Sequence, residues 1–394
     1  MSHNPVRQLK YFRQNLAQNK KPVGFLISAG CPFSIKNGSD EPLIPDVEGL
    51  TKLVSEKLDG ESSYKKLLEE LEKADKSKDN IEDVLSFLRA LITVSHGGEV
   101  RGMNEANLLE LEKKICLKIS KLIDVEFPND KTPYHQLVSW INSIDRVKPV
   151  HVFTTNYDLL MEKALENNGV PYFDGFVGSH RAFFDLRAVE EDLIPKHWTR
   201  LWKVHGSINW DKKYDNEVVR VSNPSEIEST LIYPSHLKYD ESRKMPYLAL
   251  MDQLSRFIKS GPSLLILSGY SFNDDHINDV VINALKANST ANVIALLHGE
   301  LSKYEKAIKL AEKRHNLSLW AFDKAAIGTK IGKWEVPISK ALEEDEVYQH
   351  SVETEALKVD DSSGAIKHTL ELGDFIVLGK YLQSMIGKKE DEES

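Results

Sequence analysis

Short apolar runs that stop abruptly at small or polar residues constrain this chain more than any other feature. "VGFLIS" leads into "AGCPFS" at 23–34, "VHVFTTNYD" spans 150–158, "LWKVHGSINW" spans 201–210 and "SLLILSGYSFNDDH" spans 263–276, with "ANVIALLHGE" at 291–300 as a further strand. A strand covered on one face alternates apolar with polar residues, whereas a continuous apolar run is buried on both faces, as in a parallel sheet. Helical segments between the runs predict an open α/β sheet, doubly wound, with helices on both faces. In such sheets ligands bind beyond the carboxyl ends of the strands, where loops and helix amino termini converge.

From about residue 51 to about residue 130 the pattern changes. "YKKLLEELEKADKSKDNIEDVLSFLRALI" and "NEANLLELEKKICLKISKLI" carry apolar residues at helical spacing on a charged background, which predicts a helical insertion. No internal repeat and no long linker interrupts the chain, so residues 1–340 are expected to form one integrated domain. Residues 341–394 form a carboxyl-terminal extension that starts acidic, offers one compact apolar element, "LELGDFIVLGKYLQSMIG", and ends in "KKEDEES", expected to be disordered.

Bulk properties exclude several classes. A chain of 394 residues with 41% hydrophobic and 28% charged content has enough apolar surface for a sizeable core. Its net charge of -9 argues against a basic nucleic-acid coat. The two cysteines, Cys31 and Cys116, have no partner at metal-ligand spacing, so neither a disulfide framework nor a four-cysteine zinc site can be built. The amino terminus lacks an apolar core of signal-peptide length, and no window approaches the roughly 20 apolar residues that span a bilayer. A soluble, cytoplasmic protein without membrane contact is expected.

The polar residues cluster at the strand ends: Ser28, Ala29 and Gly30; Asn156 and Asp158; His205 and Gly206; Gly269, Ser271, Asn273 and Asp274. Each also fits a plainer role. "SAGCPFS" reads as a tight turn, Asn156 and Asp158 as caps of the helix "LLMEKALENNG", and His205 as a satisfied core histidine. In "NDDHIND" only Asp275 and Asp279 share a helical face, so capping and a solvated first turn account for it and no metal is assigned. Cys31 fits a reactive thiol or a small buried filler. Four consecutive strand ends each carrying turn-forming, hydrogen-bonding residues favour a nucleotide pocket.

In order, "SAG" after the first strand, "IPD" at 44–46, "TTNYD" at 154–158, "KVHGSINW" at 203–210 and "LSGYSFNDDHI" at 267–277 resemble the motifs of sirtuin-like NAD-consuming domains. The resemblance spans residues 22–335 and implies a Rossmann-like fold. It is closest to the bacterial branch of antiphage defence systems, whose members hydrolyse NAD to ADP-ribose and nicotinamide. The stretch "PLIPDVEGL" and the chain length look most like the partner of a HerA-type hexameric ATPase. Under this resemblance Ala29 and Gly30 would approach the NAD diphosphate, with Asp46 and Thr155 also on the ligand. Asn156 would orient the attacking water beside the nicotinamide ribose, and Asp158 would support that loop or the departing nicotinamide. His205 would contact the ribose hydroxyls and act as general base. Gly269, Ser271, Phe272 and Asn273 would form the turn at the phosphates and ribose.

Departures sharpen the expectation. The four-cysteine zinc ribbon of sirtuin deacetylases has no counterpart, so no zinc is expected and peptide deacetylation loses ground. Asp46, Val47 and Glu48 stand where the family has Asp-Phe-Arg, and Ser28 stands for the usual glycine. The resulting expectation is an NAD glycohydrolase, an NAD-depleting effector of abortive infection, restrained by homo-oligomerisation or by an ATPase partner. The insertion and "GDFIVLGKYLQSMI" are the candidate contact surfaces, with ordinary intradomain packing as the alternative. A nucleotide or ADP-ribose sensing module is a second possibility. A third is a nucleic-acid-processing subunit acting through the complex, with "NDDHIND" as metal site and Arg181, Arg187 and Lys196 on phosphates.

Overall fold

The computed structural model describes residues 1–129, 131–212, 217–222, 245–335, 356–360 and 367–386. The charged end, expected to be disordered, and most of the acidic start of the extension lie outside the described residues.

The main sheet contains β1 (Ser2–His3), β2 (Val23–Ile27), β3 (His151–Thr154), β4 (Tyr172–Phe173), β5 (Thr199–Lys203), β6 (Leu264–Ser268), β7 (Asn292–Leu296), β8 (Leu317–Trp320), β9 (Lys324–Ile327) and β10 (Lys330–Trp334). Its spatial order is β1-β10-β9-β8-β7-β6-β2-β3-β5-β4. From β8 to β4 every pairing is parallel, and β9 runs antiparallel to both of its neighbours. A smaller antiparallel sheet is built from Phe176–Val177, Ala182–Phe184, Trp210–Lys212 and Val218–Arg220.

Alternation along the strands divides the core between the two faces. Val23, Phe25 and Ile27 of β2, Val152 of β3 and Leu264 and Ile266 of β6 belong to one apolar cluster. Leu26, Phe153, Leu265 and Leu267 belong to the other. Since successive side chains of a strand point to opposite faces, the continuous apolar runs mean burial on both. Gly24 takes the place of a side chain on the second face because a β-carbon there would lie 2.8 Å from the Phe257 ring.

On the first face pack α1 (Pro5–Ala17), the insertion helices α3 (Val47–Leu58), α4 (Ser62–Lys73), α5 (Ile81–Val94) and α6 (Glu105–Ile123), then α7 (Pro133–Asn142) and α8 (Leu160–Asn167); α2 (Gly30–Ser34) directly follows β2. On the second pack α9 (Tyr247–Lys259) and α10 (Asp275–Ala287). The first of these helices begins at Val47. In α6 the buried residues Leu108, Leu111, Ile115 and Ile119 recur at helical spacing and join the same cluster as the strands. The insertion is part of the core rather than an appendage.

The described part of the extension also packs inward. Leu370, Leu372 and, in α11 (Phe375–Ser384), Phe375, Leu378 and Leu382 are buried in the first-face cluster. Gly379 allows α11 to close on α7, since a β-carbon there would sit 2.8 Å from Pro133 Cα. Of the two roles open to "GDFIVLGKYLQSMI", these side chains take intradomain packing.

Candidate active site

Chain order reverses around β2: the chain runs first to β3 on one side, and after β5 it crosses back to β6 on the other. At such a switch neighbouring loops splay apart and leave a crevice beyond the strand ends. A cleft of about 570 Å³ opens there, within the range of small-molecule sites.

The first wall joins the ends of β2 and β6. Ser28 N donates to Ser268 O at 3.0 Å, and Gly30 N donates to Gly269 O at 3.1 Å. Gly269 has φ of 67°, and a β-carbon on it would lie 2.6 Å from Cys31 N. No other residue type tolerates both conditions. Instead of the expected tight turn, 30–34 forms the short helix α2. Cys31 is fully buried and its thiol is pushed up to about 12 by burial, so it acts as a filler and not as a thiolate.

The second wall is the loop after β3. Thr155 N donates to Ile27 O at 3.2 Å and its hydroxyl to Ser28 Oγ at 3.0 Å, tying this loop to the first wall. Asn156 is 9% exposed and its backbone N–H donates to Thr154 Oγ1 at 3.0 Å. The Asn156 side chain lies beside the Asp158 carboxyl and the Tyr134 hydroxyl, yet its Nδ2 makes no hydrogen bond of regular geometry. A buried amide left in that state carries a desolvation cost that a ligand oxygen would relieve. Asp158 accepts from Leu160 N at 2.9 Å just ahead of α8, whose N-cap is Leu159. Burial raises the Asp158 carboxyl above its ordinary value, opposed by the Lys203 ammonium and the Leu160 amide. Beneath the loop, buried Lys203 donates to the Asp158 carbonyl and to Glu162 Oε1, the latter at 2.7 Å.

The third wall follows β5. Gly206, at φ of 97°, turns the chain so that His205 stands in the cleft, 7% exposed. Its Nε2 lies 3.1 Å from Asp274 Oδ2, off the axis of a regular hydrogen bond. Asp274 also caps α10, with Oδ1 accepting from Ile277 N at 3.1 Å.

Of the residues expected at the ligand, Ala29, Thr155, Asn156, Asp158, His205, Gly269, Ser271 and Asn273 line the cleft together. Gly30, Asp46 and Phe272 do not: Gly30 lies in the backbone contact behind the wall, Asp46 caps α3 by accepting from Gly49 N, and Phe272 is buried against Tyr270. The insertion helices contribute apolar residues to the lining: Val47 and Leu50 of α3, Ile81 and Leu85 of α5 and Ile119 and Ile123 of α6. The last two pairs stand at i, i+4, a spacing indistinguishable in sequence from plain core packing.

No lysine or arginine is among the described residues lining the cleft, which carries Glu82, Asp158, Asp274 and Asp275. Among the described residues, a phosphate there would meet backbone N–H groups and hydroxyls such as Ser271. Among the described residues no group of three or more His, Cys, Asp or Glu is arranged to hold a metal ion; Asp275 instead pairs with Lys306 at 3.1 Å. Arg181 and Arg187 pair with Glu217 and Glu191 outside the cleft lining. No helix among the described residues is long and apolar enough to cross a membrane.

Residues 150–318 match the family model described as "SIR2-like domain". Among solved structures the chain is similar to one described as "Structural Basis for the Mechanism and Regulation of Sir2 Enzymes". That likeness has 13% identity over 75% of this chain and 86% of that one, with a TM-score of 0.28. No curated protein matches.

Proposed function

We propose, on the premise of the SIR2-like match over residues 150–318, that the protein is an NAD glycohydrolase that converts NAD+ and water to ADP-ribose, nicotinamide and a proton. The observation that carries this reading is the convergence of the buried, unsatisfied Asn156 amide and the His205 imidazole on one cleft at the sheet's switch point. Nicotinamide is a good leaving group from an anomeric carbon, so the enzyme must mainly bind the dinucleotide and place a nucleophile against an oxocarbenium-like centre. Asn156 would hold the attacking water. His205 would take its proton as the new C–O bond forms and the C–N bond breaks, then release it to solvent. Asp158, held by the Leu160 amide, would keep the Asn156 loop in register. The carboxylates of the cleft favour the cationic ring of NAD+ over a neutral reduced ring.

An unrestrained enzyme of this kind would drain the NAD of its own cell, and cytoplasmic antiphage defence with restraint through self-association or an ATPase partner follows from the sequence resemblance. The test is to incubate the purified full chain with NAD+, alone and with a HerA-type ATPase, and to follow nicotinamide release with and without chelator. Chelator-insensitive release is expected. Binding of NAD+ without release under any condition overturns the reading in favour of a sensing module, and chelator-sensitive DNA cleavage would favour a nucleic-acid-processing subunit.

A further inference from the structure

We infer that Asp274 is a positioning residue for His205, orienting its imidazole through Nε2 and stabilising the imidazolium formed when the ring takes up a proton. The two residues stand 69 positions apart in sequence, on loops after different strands, and Asp274 Oδ2 reaches to 3.1 Å from His205 Nε2. Its other oxygen is committed to the end of α10 through Ile277 N, at 3.1 Å. A carboxylate anchored by a helix terminus through one oxygen has little freedom with the other, so α10 sets where Oδ2 sits.

The turn that delivers Asp274 is itself locked. Phe272 adopts φ of 62° although it is aromatic and buried, a conformation retained only where the surroundings impose it. Those surroundings are visible. Asn278 Nδ2 donates to Phe272 O at 2.9 Å, and Asn278 N donates to Asp274 O at 3.0 Å. The Tyr270 hydroxyl shares its proton between Asn278 Oδ1, at 2.8 Å, and Asp274 O, at 3.1 Å. Tyr270, Phe272 and Asn278 therefore fix the backbone on both sides of Asp274.

A carboxylate beside an imidazole stabilises the imidazolium, which is the state a general base reaches once it has taken a proton. The other titratable groups lining the same cleft are Asp158 and Tyr157 after β3, Glu82 on α5, Tyr270 after β6, and Asp275 and His276 in the first turn of α10. Of these groups, Asp274 stands at ion-pairing distance from His205.

The experiment uses the full chain with labelled histidine, the His205 resonance being assigned by its loss in His205→Gln. Its imidazole is titrated by NMR in wild type, Asp274→Asn and Asp274→Ser. Both Asn and Ser cap helices, so α10 keeps its terminus while the charge is removed. The His205 titration is expected to move down by about one unit in each variant that folds, with a smaller downward move in Tyr270→Phe. A titration unchanged in both Asp274 variants overturns the inference. Where the wild type hydrolyses NAD+, Asp274→Asn is expected to lower kcat tenfold or more with KM nearly constant, and to move the acid limb of the rate profile to lower pH. This kinetic arm rests on the glycohydrolase reading. If the wild type releases no nicotinamide, that reading fails while the imidazole titration still decides the pairing.

Discussion

Gly30 and Gly269 meet backbone to backbone at the ends of β2 and β6: a β-carbon on Gly30 would lie 2.8 Å from Gly269 Cα, and the Gly30 amide donates to the Gly269 carbonyl at 3.1 Å. The contact draws two loops together at the point where the sheet reverses order, and the cleft is the space they bound. Gly269→Ala combines a positive φ with a clash against the Cys31 backbone, so a loss of at least about 2 kcal/mol is expected. Gly60, whose β-carbon would meet nothing within 4 Å, is the control, with Gly60→Ala within about 0.5 kcal/mol of wild type. Urea unfolding of the two variants measures both.

Asn156→Ala removes a buried amide that stands beside the Asp158 carboxyl and the Tyr134 hydroxyl, and should cost about 1 kcal/mol of stability while leaving the protein folded. Nicotinamide release by the variant should fall by about a hundredfold or more, as should that by His205→Ala. Wild-type turnover in both variants would remove the site assignment.

Lys203 is buried together with Glu162 and the Asp158 carbonyl. Burial raises the Glu162 carboxyl and the Lys203 ammonium opposes that rise, so Lys203→Met leaves a carboxyl without its partner and should cost about 3–5 kcal/mol. Adding Glu162→Gln should recover part of that loss, since the two changes act on one interaction. Strict additivity in a double-mutant cycle would show the pair to be uncoupled.

His151, partly buried, packs against the rings of Phe153, Trp202 and Phe257 and accepts from Trp202 Nε1 at 3.1 Å. Burial, and then the charge of Arg200, push it down to about 3. An imidazole with a depressed folded value contributes stability that is complete above its unfolded value of about 6.5 and is lost as pH falls toward the folded value. Stability should therefore fall by up to about 1.4 kcal/mol per pH unit below about pH 6.5 on account of this one group. In His151→Gln the acid slope of the urea midpoint should be shallower by about one proton; an identical slope would show that His151 titrates normally.

Leu50 of α3 lines the cleft opposite the polar strand ends and is only partly buried. Leu50→Ser should raise KM for NAD+ by about five- to tenfold, the equivalent of one lost apolar contact, with kcat near wild type. A changed kcat with constant KM would place the insertion wall at the reacting centre instead of at a binding surface.

Strands β2, β3, β5, β6 and β7 were legible in the sequence because burial on both faces leaves a continuous apolar run, as in Leu264–Ser268. Strands β1, β4, β8, β9 and β10 escaped, because none of them is an apolar run that ends at a cluster of small or polar residues. Most of the candidate ligand-facing residues were legible for a related reason: a parallel sheet places its strand ends on one side, so local sequence alone puts Ala29, Asn156, His205 and Ser271 near one another.

The amino-acid sequence by itself therefore determined the five apolar strands at the centre of the sheet and the polar rim of the cleft, which depend on neighbours in sequence. It could not determine that Ile81 and Ile119 of the insertion face a cavity, because a helical stripe is the same whether it meets protein or ligand. Nor could it assign Asp274 to His205 or Gly30 to Gly269. A hydrogen-bonding cap and a turn glycine each explain themselves locally, and only the packing of loops from distant strands brings an Oδ2 to an imidazole and one backbone against another.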